Sequence, residues 1–377
     1  MTASTQNWPQ AKVALCHDWL SGMRGGERVL EILCNAYPQA PLYTLLSNPG
    51  AVSETIRNRP IHNSWLQRIP GITNHYRSLL PLFPAAIRSL KPEPADMLIS
   101  TSHCVAKSIQ PPSNCHHLCY CFTPMRYAWT FQEEYLGNTF RKTLATPILA
   151  ALRKWDAQTA HRVDTFIAIS HHVKERIENF YEREASVIYP PVDTDRCTPG
   201  KDPSTQDFDL IVSALVPYKK IDLAIDAYNR SGYPLRIVGT GGAREKLAAR
   251  AGPNITLEGW QPDEVVLDRY RNCRLLVFPG EEDFGIVPLE AQACGKPVVA
   301  YKRGGACETI RADETGIFFD QQTPEALMHA VERASKQTWN AKAIRQHACT
   351  FSNDAFIAAM QEAIQNGLIL SRRQVAK

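Results

Sequence analysis

Short apolar runs alternate with segments of helical period along almost the whole chain. The run Lys12–Cys16 (KVALC) is followed by a helix after Gly26; the runs ADMLIST, HHLCYCF, TFIAIS and SVIYP punctuate the rest of the first half, with the helical stretch HHVKERIENFY between the last two. After a looser stretch from Pro191 to Gln206 the alternation resumes with FDLIVSAL and the helix KKIDLAIDAYN, then PLRIVG, NITLEG, RLLVFPG, PVVAY and GIFF. Strands that are apolar throughout must be covered on both faces, so this order predicts parallel sheets flanked by helices.

The compositional break is Tyr189–Gln206 (YPPVDTDRCTPGKDPSTQ), rich in Pro, Asp, Thr and Ser and without periodicity. It reads as an interdomain linker. We therefore expect two Rossmann-like domains, over residues 1–192 and 207–350, their sheets facing across a cleft that receives the ligand. The last helical segment, residues 352–370, follows the completed second sheet and is expected to pack back on the first domain.

A length of 377 residues suits two cores of ordinary size. No run approaches the roughly 20 apolar residues of a membrane-spanning helix. The opening MTASTQNWPQ is polar rather than an export signal, so a cytoplasmic location is expected. Eleven cysteines, scattered over both halves, fit buried thiols in a reducing compartment better than disulfides. The net charge of +4 is too small to imply nucleic acid, but its distribution is uneven. Between Thr55 and Pro92 there is no acidic residue, while Arg57, Arg59, Arg68, Arg77, Arg88 and Lys91 are interleaved with Trp65, Leu66, Tyr76, Leu82 and Phe83. Phe140–Trp155 reads as an amphipathic helix with basic ends. Both stretches suit a surface resting on anionic lipid headgroups, and both equally suit core helices with solvated basic faces.

The densest chemistry lies in Gly280–Gly295, GEEDFGIVPLEAQACG, directly after the strand RLLVF. A helix is expected to begin near Pro288, leaving the backbone N–H groups of Gly285, Ile286 and Val287 as donors for phosphate oxygens or sugar hydroxyls. Glu290, placed in the first turn, can accept both hydrogen bonds of a ribose diol, and Glu282 on the preceding loop would face the opposite end of the same ligand. A nucleotide-sugar offers a ribose diol at one end, hexose hydroxyls at the other, and a diphosphate between. Lys219 and Lys220 are expected to open a helix after IVSALVPY. In the first domain CHDWLSGMRGGERV runs from strand through a glycine loop to a helix, where Gly25 and Gly26 permit a backbone to approach a ligand.

Two patterns invite a metal reading that the residues do not support. The Asp-x-Asp matches Asp193–Asp195 and Asp207–Asp209 fall in or beside the linker. Cys115, His117, Cys119 and Cys121 share one face of one strand, which cannot close a tetrahedron about an ion, so buried thiols are expected there.

The motif EDFGIVPLEAQACGKPVVAYKRGGACE resembles the signature of retaining glycosyltransferases of family 4, and VSALVPYKKIDLAIDA, LRIVGTGG, NITLEGWQPDEVVLDRYRNC and VIYPPVDTDRC match the remaining blocks in order. Through HDWLSGMRGGERVLE and TPMRYAW the chain looks most like bacterial mannosyltransferases of O-antigen and exopolysaccharide assembly. The resemblance implies a GT-B fold, a donor held chiefly by the second domain through Phe284–Val287 and Glu290, retention of configuration, no metal and no cofactor. It implies GDP-mannose as donor and a lipid-linked oligosaccharide as acceptor, met at the inner face of the plasma membrane, with no nucleic acid as partner. Lys219 occupies the position of the family's phosphate-binding lysine, and Ala214 stands where many members carry an arginine. Phe122 stands where related enzymes have a sugar-contacting histidine, which makes His103 the candidate to contact sugar or β-phosphate. Arg126 either holds an acceptor phosphate or pairs with Glu133 or Glu134. The rival functions are a sugar-nucleotide epimerase of the same fold and a non-catalytic sugar-nucleotide-binding subunit.

Overall fold

The computed structural model describes residues 8–130, 139–200 and 207–375. It forms two compact units, Met1–Tyr189 with Phe356–Lys377, and Pro190–Ala355. The first holds seven parallel strands, β1 (Val13–His17), β2 (Leu42–Thr44), β3 (Ile61–Asn63), β4 (Met97–Ser102), β5 (His116–Cys121), β6 (Thr165–Ala168) and β7 (Ala185–Val187), in the order 3-2-1-4-5-6-7. The second holds six, β8 (Asp209–Val212), β9 (Leu235–Val238), β10 (Ile255–Gly259), β11 (Leu276–Phe278), β12 (Val298–Tyr301) and β13 (Gly316–Phe319), in the order 10-9-8-11-12-13 and again all parallel. Every residue of β1, β4 and β5 is buried, as strands covered on both faces require, including the polar Ser100, Thr101 and Ser102 of β4 and His116 and His117 of β5. Strands β2 and β3 were not expected from the pattern. Each has three residues, too few to show a period, and β3 is a largely exposed edge strand paired with β2.

The helix Asn353–Val375 buries Phe356, Met360, Ile364 and Leu368, a spacing of four that forms one stripe along its length. The Phe356 ring meets Tyr120 of β5 edge-on at 5.6 Å, and Gly367 admits the side chains of Met97 and His116 where a Cβ would lie 2.9 and 3.0 Å from them. The first unit's sheet is therefore covered by residues from the far end of the chain. The stretch Pro190–Gly200, read from composition as a linker, is held within the second unit. Arg345 donates from Nη1 to the Cys197 and Ala293 carbonyls at 2.7 and 2.6 Å and from Nη2 to that of Thr194 at 2.9 Å.

The acid-free stretch from Thr55 to Pro92 is divided between core and surface, and Arg57, Arg68, Arg77, Arg88 and Lys91 are exposed. Leu66, Tyr76 and Phe83 are buried, and so is Arg59, whose guanidinium donates to the Cys34 carbonyl at 2.8 Å and the Ala40 carbonyl at 3.2 Å. Arg59 thus satisfies carbonyls at and just beyond the end of the helix Gly25–Ala36 rather than facing lipid. Trp65 and Leu82 keep 37% and 40% of their surface exposed. In the helix Thr139–Thr159, Leu149 and Leu152 are buried while Ile148 is 44% exposed.

One buried ion pair fastens the first unit. Lys107 is 1% exposed, and its Nζ lies 3.0 Å from Asp156 Oδ1 and donates to the Asp156 carbonyl at 2.7 Å. Trp129 Nε1 and the Tyr181 hydroxyl both donate to Asp156 Oδ2 at 2.8 Å. Removing one member strands a desolvated charge, so Asp156→Ala should cost about 3–5 kcal/mol in chemical denaturation. Replacing both members with apolar residues, as in Lys107→Met with Asp156→Leu, should recover only part of that loss, because the Trp129 indole and the Tyr181 hydroxyl still lose their acceptor. A single-variant loss below about 1 kcal/mol would contradict the assignment.

Candidate functional site

In the second unit the loops after β8, β11 and β12 come into backbone contact because glycine leaves room. A Cβ on Gly280 would lie 2.8 Å from Lys219 Cα, one on Gly304 2.3 Å from the Glu282 carbonyl oxygen, and one on Gly305 2.2 Å from Phe284 Cα. The Gly305 N–H donates to the Glu282 carbonyl at 2.8 Å. These approaches set Lys219 and Glu282 against each other as an ion pair, their side chains only 12% and 22% exposed. The lysines do not open a helix as expected. Lys219 ends the turn Pro217–Lys219, and Lys220 follows with φ of 54° as the cap of the helix Ile221–Ser231. The turn therefore aims Lys219 at Glu282 before the helix begins.

The helix after the acidic loop spans Ile286–Ala293, with Gly285 at φ 103° as its cap, so it starts two residues before Pro288. Proline is accommodated at the third position because the first N–H groups of a helix have no carbonyl partner within it. Ile286 and Val287 are thus the residues whose N–H groups the helix itself leaves unpaired, while the Phe284 ring is buried against Phe351 at 6.0 Å. Glu290 consequently falls in the second turn, not the first. Its Oε2 accepts from the Tyr270 hydroxyl at 2.8 Å, and its Oε1 lies 3.9 Å from Arg196 Nη2. Arg196 Nη1 in turn donates to Asp263 at 2.7 Å. Neither Tyr270 nor Arg196 was singled out from the sequence.

In the first unit the anchor is Asp18, also missed. It is fully buried at the end of β1. Its Oδ2 accepts the N–H groups of His103 and Cys104 at 2.6 and 2.9 Å, and its Oδ1 those of Val105 and Ala106 at 2.5 and 2.7 Å. His103 follows β4 and places Nδ1 3.1 Å from the same carboxylate. Burial, then the positive charges of Arg126, Arg24 and Arg77, hold the His103 imidazole down to about 3. The ring is therefore neutral, Nδ1–H donates to Asp18, and Nε2 is left as an acceptor. Gly26, at the start of the helix Gly25–Ala36, lies against Phe122, where a Cβ would be 3.3 Å from the ring. Next to it Glu27 accepts the Arg24 N–H at 3.1 Å, and burial pushes its carboxyl up to about 7. Arg126 begins the short helix Arg126–Trp129; Glu133 and Glu134, its expected alternatives as partners, lie outside the described residues.

The other patterns are spent on structure. Asp209 is buried under two hydrogen bonds from Arg274, at 2.9 and 2.6 Å, and one from Tyr228 at 2.5 Å. Cys115, Cys119 and Cys121 are buried, His116 bonds Thr165 at 2.9 Å, and His117 bonds Ser100 at 2.8 Å and the Arg162 carbonyl at 3.0 Å.

Residues 23–196 match the family model described as Glycosyltransferase Family 4, and residues 199–350 match that of Glycosyl transferases group 1. Among solved structures, sucrose-phosphate synthase from Thermosynechococcus elongatus is similar with a TM-score of 0.70 over 98% of this chain and 100% of that one, at 17% identity. Anabaena HepE in complex with UDP-glucose is similar with a TM-score of 0.69 over 95% and 100%, at 16% identity. These likenesses and the two parallel sheets define a GT-B fold of two Rossmann-like domains. The chain belongs to the glycosyltransferases of family 4 and group 1. An uncharacterized glycosyltransferase of Methanocaldococcus jannaschii is 30% identical over 222 residues, 54% of this chain and 62% of that protein. D-inositol 3-phosphate glycosyltransferase of Geodermatophilus obscurus is 28% identical over 258 residues, 58% and 57% respectively. In each case the match spans less than two thirds of the relative's length.

The close approach of the loops makes a direct prediction. Gly305→Ala drives a methyl group into the backbone at Phe284 and should lower stability by about 1–3 kcal/mol in urea unfolding. An alanine variant as stable as the parent would contradict the packing.

Proposed function

We propose that the chain is a retaining, metal-independent hexosyltransferase that moves mannose from GDP-mannose onto a lipid-linked glycan in bacterial surface-polysaccharide synthesis. The observation that carries this proposal is the pair of carboxylates flanking one helix start, Glu282 against Lys219 on the loop and Glu290 against Tyr270 in the helix. Glu282 takes hexose hydroxyls, the N–H groups of Ile286 and Val287 take phosphate oxygens, and Glu290 takes the ribose diol. Lys219, with Lys220 beside it, neutralises the departing diphosphate. With Ala214 at the position of the family's arginine, that charge falls to the lysines. Of the first unit's groups, neutral His103 with Nε2 as acceptor suits a sugar hydroxyl better than a phosphate, which has no proton to give. Gly25 and Gly26 offer backbone to a ligand, and Arg126 offers charge to a phosphate of the acceptor.

In the transfer step the acceptor oxygen bonds to the anomeric carbon on the face the nucleotide leaves, and the bond from that carbon to the β-phosphate oxygen breaks. The acceptor proton passes to the departing oxygen, and no protein nucleophile takes part. Support for a nucleotide-sugar comes from family membership and from HepE, whose structure contains UDP-glucose. That complex also makes a UDP-hexose the rival donor. The lipid-linked acceptor draws on the exposed Trp65 and Leu82, in the same stretch of chain as the exposed Arg68, Arg77 and Arg88, a composition that suits an anionic inner-membrane surface.

Calorimetry and transfer assays test the division of labour. Glu282→Ala should abolish transfer while leaving affinity for the free nucleotide within about threefold, whereas Glu290→Ala should weaken nucleotide binding at least tenfold, the loss of hydrogen bonds to a charged group. Equal losses of affinity in both variants would overturn the assignment. The protein should also cosediment with anionic liposomes at low salt and be released at high salt; cosedimentation that ignores salt would contradict an electrostatic surface.

A further inference from the structure

Glu290 is held on one side by a group that nothing in its own segment requires. Tyr270 lies in the helix Asp263–Asn272, is 2% exposed, and directs its hydroxyl at Glu290 Oε2 from 2.8 Å. Burial and the neighbouring carboxylate both raise the phenol well above its ordinary range, so it stays protonated and can only be a donor towards Glu290. The other oxygen, Oε1, faces Arg196 Nη2 at 3.9 Å, and Arg196 is itself fixed by Asp263, the first residue of the same helix. One helix therefore governs both oxygens, Oε2 directly through Tyr270 and Oε1 through Asp263 and Arg196.

We infer that Tyr270 is a positioning residue that fixes the rotation of the Glu290 carboxylate so that its remaining lone pairs meet a vicinal diol of the ligand; this rests on Glu290 being the ribose contact. A carboxylate has about four lone-pair positions, and the hydrogen bond from Tyr270 to Oε2 sets which way they point. A carboxylate free to rotate would lose part of its binding to ordering, whereas one already held meets a rigid diol without that loss. Arg196 adds positive charge opposite the second oxygen. The ligand class that uses this device is a ribonucleotide with both ribose hydroxyls present.

The test is Tyr270→Phe, which deletes one oxygen and keeps the ring. Titration with GDP and with its 2′,3′-dideoxy analogue is compared for the parent, Tyr270→Phe and Glu290→Gln. The expected result is a fivefold to twentyfold loss of GDP affinity in Tyr270→Phe, less than a twofold change for the dideoxy analogue, and a raised KM for the donor with kcat kept within about twofold. A structural role alone would weaken both nucleotides together and lower the unfolding midpoint, and that result would overturn the proposal. If Glu290→Gln loses GDP affinity and Tyr270→Phe does not, the positioning role fails while the ribose contact stands. If Glu290→Gln binds GDP as the parent does, the ribose contact itself fails.

Discussion

The second unit depends on the absence of side chains at Gly280, Gly304 and Gly305. Three loops leave the carboxyl ends of neighbouring parallel strands, and their backbones touch at distances that a single methyl group would forbid. Parallel sheets gather such loops at one edge of the sheet, and helix starts there present unpaired N–H groups. Contact between the loops converts that edge from separate mobile segments into one surface, with Lys219 and Glu282 meeting where Gly280 and Gly304 make room. The charges are therefore a consequence of the backbone fit. Lysine and glutamate so placed satisfy each other, and under the proposed function a diphosphate and a sugar compete for them.

The first unit solves the same problem with a buried acid in place of glycine. Asp18 gathers four successive backbone N–H groups from residues 103–106 and so fixes the chain that carries His103. A carboxylate removed from water is stable only when its acceptor sites are filled, and five donors fill them here. The same logic applies to the Lys107 and Asp156 pair, where indole, phenol and ammonium groups share one carboxylate. The Asp18 arrangement lies at the carboxyl ends of β1 and β4, whereas the second ties the turn after β4 to the helix Thr139–Thr159.

The sequence made the sheets legible wherever a strand is apolar on both faces. β1, β4 and β5 announce themselves because every residue is buried, while three-residue β2 and β3 carry no period to detect. Glu282 and Glu290 were legible from the company they keep along one stretch of chain. Tyr270 was not, because at its spacing from Leu267 it reads as ordinary core and its hydroxyl partner stands twenty residues away. Asp18 was hidden for the same reason, its donors lying some 85 residues further on. Arg59 misled in the opposite sense, counted as surface charge when its partners are the carbonyls of Cys34 and Ala40. Local pattern reveals what neighbours in sequence decide, and contacts across the fold are invisible to it.

The proposal of a single elongated donor, sugar at Glu282 and ribose at Glu290, requires that both ends of the ligand contribute to binding. The most direct measurement is a thermal-shift comparison of GDP, UDP and ADP with their common sugar conjugates. The account predicts that GDP-mannose stabilises the protein more than GDP alone and more than the uridine and adenosine compounds do. A protein that none of these compounds stabilises, or one that responds equally to every nucleotide with and without its sugar, would contradict it.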